Sequence, residues 1–210
     1  DKKLIDLYGG LKDIKNNKLR LIGNPELRFK EDPIRILRAI RFSAKLKMEI
    51  HGETLKEISG SIDFLKSVPY SRLFDEVMKL FLTGHAQESM VLFKKYKLSH
   101  IYFPTLGNEN KTFNSFLSQG LINTDLRIKN NQSVNPGFFL AIFLWHDVQE
   151  LARKYRKNFA HPSLALNKAI DDVLYMQAKN LPIQKRFSIT MSEIWRLQPR
   201  FKSTSRKKIY

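Results

Sequence analysis

The sequence predicts a mainly α-helical protein in which the remnant of a sheet is followed by an elongated all-helical neck and body. Two observations support this prediction. Short strand-like stretches separated by glycines occupy residues 1–29, whereas from residue 31 onward apolar side chains recur every three or four positions. Glycine and proline residues divide this second part into helices of ordinary length.

The first 29 residues contain two stretches that are typical of strands. Residues 4–8 (LIDLY) form one stretch, which is ended by Gly9 and Gly10. Residues 19–22 (LRLI) form the other, which ends at the turn-forming sequence GNP. We expect both to be strands at the end of a mixed sheet.

A helix is predicted to begin near Pro33. Asp32 is a residue type that caps helix N-termini, and Pro33 suits the first helical position because its missing N–H would have no partner there. Four apolar residues at intervals of three or four predict a buried face: Ile34, Leu37, Ile40 and Ala44. Lys47, and not a glycine, follows this stretch, so the helix is expected to lack a left-handed C-terminal cap there.

Seven further helices are predicted from the same periodicity and from the positions of glycine and proline. They cover residues 53–58, 70–82, 86–96, 112–121, 137–157, 163–179 and 184–198.

The charge of the chain points to nucleic acid. In 210 residues, 37 Lys and Arg stand against 20 Asp and Glu, which leaves a formal charge of +17. An anionic membrane would attract the same charge, but the longest apolar stretch, residues 138–145, is too short to span a bilayer, so no membrane partner is expected. The chain has no cysteine, which fits a cytoplasmic protein.

A carboxylate and three arginines follow one another at intervals of three at the start of the predicted helix: Asp32, Arg35, Arg38 and Arg41. An arginine can donate two parallel hydrogen bonds to a base edge or a phosphate, and a carboxylate accepts from an exocyclic amine. The group could therefore read a nucleotide base and hold its phosphates. The alternative is that Asp32 only caps the helix and that the arginines form its solvated face.

The surrounding sequence favours the first interpretation. Residues 23–42 (GNPELRFKEDPIRILRAIRF) resemble the signature of class II nucleotidyltransferases, which comprise bacterial poly(A) polymerases and CCA-adding enzymes. Residues 6–13 (DLYGGLKD) are similar to the strand and turn that close the catalytic head of that family.

The resemblance implies a reaction and a set of roles. An RNA 3′ hydroxyl would attack the α-phosphate of ATP with the help of Mg²⁺ held by acidic residues of the head, which we expect to lie upstream of this chain. Asp32 and Arg35 would read the base, and Arg38 and Arg41 would belong to the same nucleotide-binding helix. Asp1 lies where poly(A) polymerases carry an acidic residue assigned to catalysis, and it is a candidate catalytic residue. The chain alone is expected to be inactive.

The distal sequence resembles poly(A) polymerases more than CCA-adding enzymes. The resemblance is carried by residues 123–128, 134–145, 181–187 and 194–198. It implies addition of AMP from ATP to RNA 3′ ends. A CCA-adding enzyme is the alternative within the same class, and an RNA-binding module without catalysis is the alternative from another class.

Three segments are predicted: the end of the head at 1–29, a neck with nucleotide- and RNA-binding helices at 30–105, and an RNA-binding body at 106–210. Within the body, paired cations are the candidate contacts to the RNA backbone: Arg153, Lys154, Lys185 and Arg186. The most apolar residues of the body are expected to pack in its core: Phe138, Phe139, Ile142, Phe143 and Trp145. The five histidines are assigned no catalytic role, and no metal ligand is predicted within the chain.

Overall fold

A computed structural model describes residues 4–107 and 111–205. The chain consists of two compact units, Asp1–Tyr96 and Lys97–Tyr210. The described residues are mostly helical and contain one two-stranded sheet, which confirms the predicted mainly α-helical class. The three predicted functional segments remain a prediction.

The first unit has six helices and the small sheet in its described part. Its elements are α1 (Gly10–Lys15), β1 (Lys18–Leu19), α2 (Pro25–Glu31), α3 (Ile34–Leu46), β2 (Glu49–Ile50), α4 (Gly52–Ser61), a 3₁₀ helix (Ile62–Ser67), α5 (Tyr70–Phe81) and α6 (Ala86–Lys95). The strands are parallel, with Lys18 opposite Glu49 and Leu19 opposite Ile50.

The predicted strand at residues 4–8 is wrong. The carboxylate of Asp6 accepts hydrogen bonds from the backbone N–H groups of Gly10 (2.8 Å) and Leu11 (2.9 Å), and these bonds lower the pKa of Asp6. These bonds form a turn that leads from Asp6 into α1, so the segment is not extended as a strand would be. A strand also needs a neighbour that takes up its backbone hydrogen bonds, and the described residues pair no strand with this segment.

The second predicted strand is largely wrong too. Within residues 19–22 only Leu19 pairs in the sheet, and α2 follows where the sequence predicts the end of a strand. The Oδ1 of Asn24 accepts from the N–H of Leu27 (3.1 Å), and Pro25 occupies the first turn of α2. The sequence GNP therefore starts a helix with a side-chain cap and a proline, a role that the same residue types also perform.

The helix α3 has the predicted buried face, because Ile34, Leu37, Ile40 and Ala44 are each at most 3% exposed. The prediction that this helix lacks a left-handed cap is wrong. Lys47 adopts the left-handed conformation itself (φ 54°, ψ 33°). Its carbonyl accepts from the Nδ2 of Asn17 (3.0 Å), which helps to hold this uncommon conformation for a residue with a side chain.

The second unit contains five helices in its described part. They are α7 (Leu98–Tyr102), α8 (Lys111–Lys129), α9 (Pro136–Tyr155), α10 (Pro162–Ala178) and α11 (Lys185–Ser205), with a 3₁₀ helix (Pro104–Gly107) between α7 and α8. The helix predicted at 112–121 thus continues to Lys129.

The helices α8 and α9 are antiparallel. The ring of Phe113 stacks on His146 at 5.0 Å between centroids, and Gly120 lies against Ile142, so residue numbers fall along one helix as they rise along the other. A Cβ atom at Gly120 would lie 2.9 Å from two atoms of Ile142. The absence of a side chain at Gly120 therefore sets how closely the two helices approach.

The helices α9 and α11 are parallel. Gly137 near the start of α9 lies against Thr190 near the start of α11, and the Nε1 of Trp195 donates to the carbonyl of Ala141 one turn further along (3.0 Å). The Trp195 side chain is 1% exposed, and this bond satisfies its only N–H.

The predicted packing of the apolar residues of α9 is only partly correct. Phe139 and Phe143 are fully buried and their rings are in contact (4.5 Å between centroids). Phe138 is 53% exposed, and Ile142 and Trp145 are half-buried. These three residues share one face of the helix, since spacings of four and three separate them, whereas Phe139 and Phe143 lie on the adjoining face that packs in the core.

Candidate nucleotide-binding and RNA-binding sites

Asp32 lies in the extended residue between α2 and α3 (φ −148°, ψ 90°). Its side chain does not cap α3, which corrects the prediction. Its Oδ2 accepts from the Nη2 of Arg72 on α5 at 2.9 Å. Its Oδ1 is closed to solvent and has no hydrogen-bond partner. The carboxylate is therefore held in place at one oxygen and has an unused acceptor at the other.

Arg35 is fixed through a single nitrogen. Its Nη1 donates to the carbonyl of Arg28 (2.8 Å) and to the Oε2 of Glu31 (2.9 Å). The bond from Arg35 lowers the pKa of Glu31, so the pair stays charged well below neutral pH. A guanidinium has five N–H donors in one plane, and these two bonds orient the plane while they use only the donors of Nη1.

Arg38 and Arg41 share one carboxylate. The Nε of Arg38 lies 3.8 Å from Oε1 of Glu76, and the Nη2 of Arg41 lies 3.7 Å from Oε2. Lys79 also donates to Glu76, at 3.0 Å. The Glu76 side chain is 5% exposed, so three cations surround one nearly buried anion. A net positive charge is left beside α3, which suits a phosphate.

The structure thus brings the four predicted residues together in two pairs, not as one row. Asp32 and Arg35 lie at the junction of α2 and α3 with different partners, Arg72 and Glu31. Arg38 and Arg41 lie further along α3 against α5, where both approach Glu76. Their roles in nucleotide binding remain a prediction.

The sequence analysis did not identify Arg72 or Glu76. One signal for Glu76 was present in the sequence, since it lies among residues that form the buried face of α5, namely Leu73, Val77 and Leu80. A charged residue at a position with core periodicity is rarely buried without a charged partner. Arg72 had no such signal, because its contact with Asp32 joins residues 40 positions apart.

The predicted RNA contacts in the second unit do not form one cluster. Arg153 and Lys154 lie in the last turn of α9, and Lys185 and Arg186 lie in the first turn of α11. Since the two helices are parallel and Gly137 lies against Thr190, the pairs lie at opposite ends, roughly 30 Å apart along the axis at 1.5 Å per residue. Arg153 donates to Glu150 (2.6 Å), and Arg186 lies over the ring of Phe187 (4.6 Å). RNA binding by these residues remains a prediction.

Asp1 lies outside the described residues. Within residues 4–107 and 111–205, no three His, Cys, Asp or Glu side chains are grouped so that they could hold a metal ion. The described residues therefore do not fit a magnesium site, and we derive no metal-dependent step from them. In the same part of the chain, no helix is both long enough and apolar enough to cross a membrane.

Two family profiles match the chain. The profile described as "Probable RNA and SrmB-binding site of polymerase A" matches residues 47–109. The profile described as "Polymerase A arginine-rich C-terminus" matches residues 158–210.

Curated relatives extend the likeness over nearly the whole chain. It is 38% identical to poly(A) polymerase I of Escherichia coli O6:H1 over 213 residues, which include 98% of this chain and 45% of that protein. It is 33% identical to the CCA-adding enzyme of Lactobacillus helveticus over 97 residues, which include 46% of this chain and 24% of that protein. The chain thus spans less than half the length of these relatives.

A solved structure titled as a CCA-adding enzyme with CTP has the same fold. It superimposes with a TM-score of 0.66 at 18% identity, over 98% of this chain and 44% of that one. At this identity the likeness concerns the fold alone.

Proposed function

Because the chain belongs to the family of bacterial poly(A) polymerases and CCA-adding enzymes and matches their C-terminal portion, we propose that it selects the nucleotide and binds RNA in a poly(A) polymerase. The reaction is the template-independent addition of AMP from ATP to RNA 3′ ends. Support for poly(A) rather than CCA addition comes from the likeness to poly(A) polymerase I, which includes 98% of the chain.

The observation that carries the proposal is the junction of α2 and α3. Adenine presents an exocyclic amine beside a ring nitrogen that accepts, so it needs one acceptor and one donor side by side. The free acceptor is Oδ1 of Asp32, which is desolvated and unpaired. The donors are the N–H groups of Arg35 beyond its Nη1. A buried oxygen without a partner costs roughly 1–3 kcal/mol. Since the Asp32 side chain is 17% exposed, a rotation of its carboxylate would bring this oxygen to the surface, where a base amine that donates to it offsets the cost.

The proposed role of the other two arginines is to hold phosphate. Arg38 is 43% exposed, and Arg41 is held over the Phe42 ring at 4.5 Å. Glu76 keeps both side chains in place without neutralising the whole group, because Lys79 is also present. A triphosphate or an RNA phosphate would complete the charge balance.

A chimera tests the proposal. The matching segment of E. coli poly(A) polymerase I is replaced by this chain, and the chimera is given an RNA primer, Mg²⁺ and each of the four nucleoside triphosphates. We expect AMP to be added in preference to the other nucleotides. A folded chimera that adds only CCA to transfer RNA would show that the alternative within this family is correct.

Single substitutions in the chimera test the assigned residues. Uracil presents the reverse order, an exocyclic oxygen beside a ring N–H, so exchange of Arg35 for Ala should weaken the preference for ATP over UTP by about tenfold or more, the effect of losing about 1.4 kcal/mol. Lys30→Ala is the matched control, since Lys30 forms an exposed pair with Glu26 on the neighbouring helix α2. An unchanged preference in the Arg35 variant would remove Arg35 from base selection.

We further propose that the Mg²⁺ of the reaction is bound by residues outside this chain and that the chain alone does not polymerise. The isolated chain should bind RNA in a salt-sensitive manner and leave a primer unextended in the presence of ATP and Mg²⁺. Extension by the isolated chain would contradict this part of the proposal. RNA binding without any nucleotide binding would favour a module that has lost catalysis. The cytoplasmic location stays a prediction.

A further inference from the structure

The second unit contains a cleft of about 640 Å³ between α8, α9 and α11. Each helix contributes residues spaced three or four positions apart, so one face of each helix lines it. From α8 these are Phe116, Gln119, Asn123 and Arg127; from α9, Phe138, Ile142 and Trp145; from α11, Thr190, Ile194 and Gln198. We call this the aromatic cleft. Its volume lies within the roughly 300–1,000 Å³ of small-ligand pockets.

The cleft is a consequence of how its walls are held. Gly120 of α8 lies against Ile142 of α9, and Gly137 of α9 lies so close to Thr190 of α11 that a Cβ atom at this position would be 3.0 Å from the threonine side chain. The hydrogen bond from Trp195 to the carbonyl of Ala141 joins α11 to α9, and both residues line the cleft. The three helices are thus fixed to one another at close crossings beside the cleft, and Gly120, Ile142 and Thr190 of these crossings line it.

Two aromatic rings that line the cleft are exposed, although contact of apolar rings with water is unfavourable. Phe116 is 44% exposed and Phe138 is 53% exposed. Each ring offers a face on which a flat ligand can stack. Trp145, which is half-buried, lines the same wall of α9 as Phe138. Stacking on such rings is how proteins hold unpaired bases.

The polar groups of the cleft match a base edge. The Nε2 of Gln119 donates to the Oδ1 of Asn123 at 3.1 Å. This bond orients both amides and leaves the Oε1 of Gln119 to accept and the Nδ2 of Asn123 to donate. One acceptor beside one donor can pair with the edge of a base, and the amine and the adjoining ring nitrogen of adenine are such an edge.

The charge of the cleft favours an anionic ligand. Among the described residues that line it there is no Asp or Glu, and the charged side chain is Arg127. The Nε and Nη2 of Arg127 donate to the carbonyl of Ser133 (3.2 and 3.0 Å), so the guanidinium is fixed while Nη1 keeps its donors. Lys185 and Arg186 lie about one turn before Thr190 at the start of α11. A phosphate attached to the ligand would meet these cations.

We propose that the aromatic cleft binds an unpaired base of RNA, with adenine as the preferred base. The inference deepens the proposed RNA binding and rests on it for the class of ligand. In this inference the cleft binds a base of the RNA strand, whereas Asp32 and Arg35 select the incoming nucleotide. An enzyme that makes poly(A) could in this way hold its own product.

Both tryptophans of the chain, Trp145 and Trp195, line the cleft, so tryptophan fluorescence reports on its occupancy. The chain is titrated with a twelve-residue oligoadenylate, an oligouridylate of the same length, and AMP. We expect oligoadenylate to change the emission and to bind more tightly than oligouridylate. Phe138→Ala should weaken oligoadenylate binding by about tenfold, since stacking of one base contributes roughly 1–3 kcal/mol.

The matched control is Tyr175→Ala. Tyr175 is an aromatic residue of α10 in the same unit, is 67% exposed and does not line the cleft. This variant should bind oligoadenylate as the parent chain does, and far-UV circular dichroism should show that both variants fold. Replacement of Gln119 and Asn123 by Leu should abolish the preference for oligoadenylate over oligouridylate.

The outcomes separate this inference from the proposed function. If RNA binds with unchanged affinity in Phe138→Ala and without a change in emission, the cleft inference is wrong and RNA binding stands. If no RNA binds at any salt concentration, the proposed RNA-binding function is wrong as well. An emission change with an amphipathic helical peptide but none with oligoadenylate would assign the cleft to a protein partner and overturn the inference. Equal affinity for both oligonucleotides would overturn the preference for adenine.

Discussion

The two units of the chain build their candidate sites by different means. In the first unit the site consists of charged side chains from α2, α3 and α5, and each is placed by an opposite charge, as Asp32 is by Arg72. In the second unit the aromatic cleft is formed by the shapes of three long helices, and close crossings at glycines place them. The first site therefore depends on ion pairs, and the second depends on packing.

This difference determines which substitutions should damage each unit. Ion pairs that are nearly buried are costly to break on one side only, because the remaining charge loses its partner in a place that water does not reach. Close helix crossings are sensitive to one added methyl group. Each unit should thus tolerate the kind of change that damages the other.

The largest effect is expected for Glu76. Its removal leaves Arg41, which is 17% exposed, without its carboxylate and leaves the buried Nε of Arg41 still unpaired. We expect Glu76→Ala to lower the free energy of unfolding by about 3 kcal/mol, the lower end of the range for a broken buried pair. Urea unfolding of the parent and variant chains measures it. Glu76→Gln should lower the free energy of unfolding by most of the same amount. Because glutamine has nearly the volume of glutamate, such a result would attribute the loss to the charge.

An exposed ion pair of the same unit is the control. Asp63 and Lys66 are 80% and 71% exposed, so Asp63→Asn should change the free energy of unfolding by less than about 0.5 kcal/mol. A loss below 1 kcal/mol in Glu76→Ala would show that the arginines of α3 do not depend on this carboxylate.

The next effect is expected for Gly120→Ala. The added Cβ would lie 2.9 Å from Ile142, and the two helices must shift apart, at a cost of about 2 kcal/mol. Gly60→Ala on α4 is the matched control, because a Cβ atom at this position would have no neighbouring atom within 4 Å outside its own helix backbone. That variant should stabilise the chain by about 0.5–1 kcal/mol through helix propensity. Thermal unfolding compares them, and equal effects at both glycines would contradict the close crossing.

Arg72→Ala should lower the stability of the chain less than these substitutions do, and it should also change which nucleotide the enzyme prefers. The side chain is 48% exposed, so its pair with Asp32 contributes at most about 1 kcal/mol to stability. In the chimera we expect the preference for ATP over UTP to fall roughly fivefold, the equivalent of about 1 kcal/mol, because the carboxylate loses its fixed orientation. A stability loss without any change in nucleotide preference would make Arg72 a structural residue only.

The smallest effect is a dependence on pH in the second unit. Hydrogen bonds from Lys168 and Tyr155 hold the pKa of Asp172 below its ordinary value of 3.8. A lowered pKa contributes stability that is present above pH 3.8 and is lost as the pH falls through the lowered value. The parent chain should therefore exceed Asp172→Asn in melting temperature at pH 6, and the difference should shrink below pH 4. A constant difference down to pH 2 would contradict this assignment.

Much of the helical fold was predictable, because helix periodicity is a local property of the sequence. The helices at 70–82 and 86–96 lie within one residue of α5 and α6. The errors lie where one short sequence suits two structures. The segment at 4–8 has the composition of a strand, but the Asp6 carboxylate accepts from nearby backbone N–H groups, and these bonds form a turn. The sequence GNP ends strands in many proteins, but here it caps α2.

The sequence by itself determined the family, the helix α3 and the buried face of that helix, since each is carried by residues close together in the chain. Only the tertiary structure decided which partner each charge has. Asp32 pairs with Arg72 instead of capping α3, and Glu76 joins Arg38 to Arg41. It also decided that Phe138 faces a cleft and not the core. The physical reason is that partners and exposed faces depend on how helices distant in sequence pack, and the periodicity of one helix does not specify its neighbours.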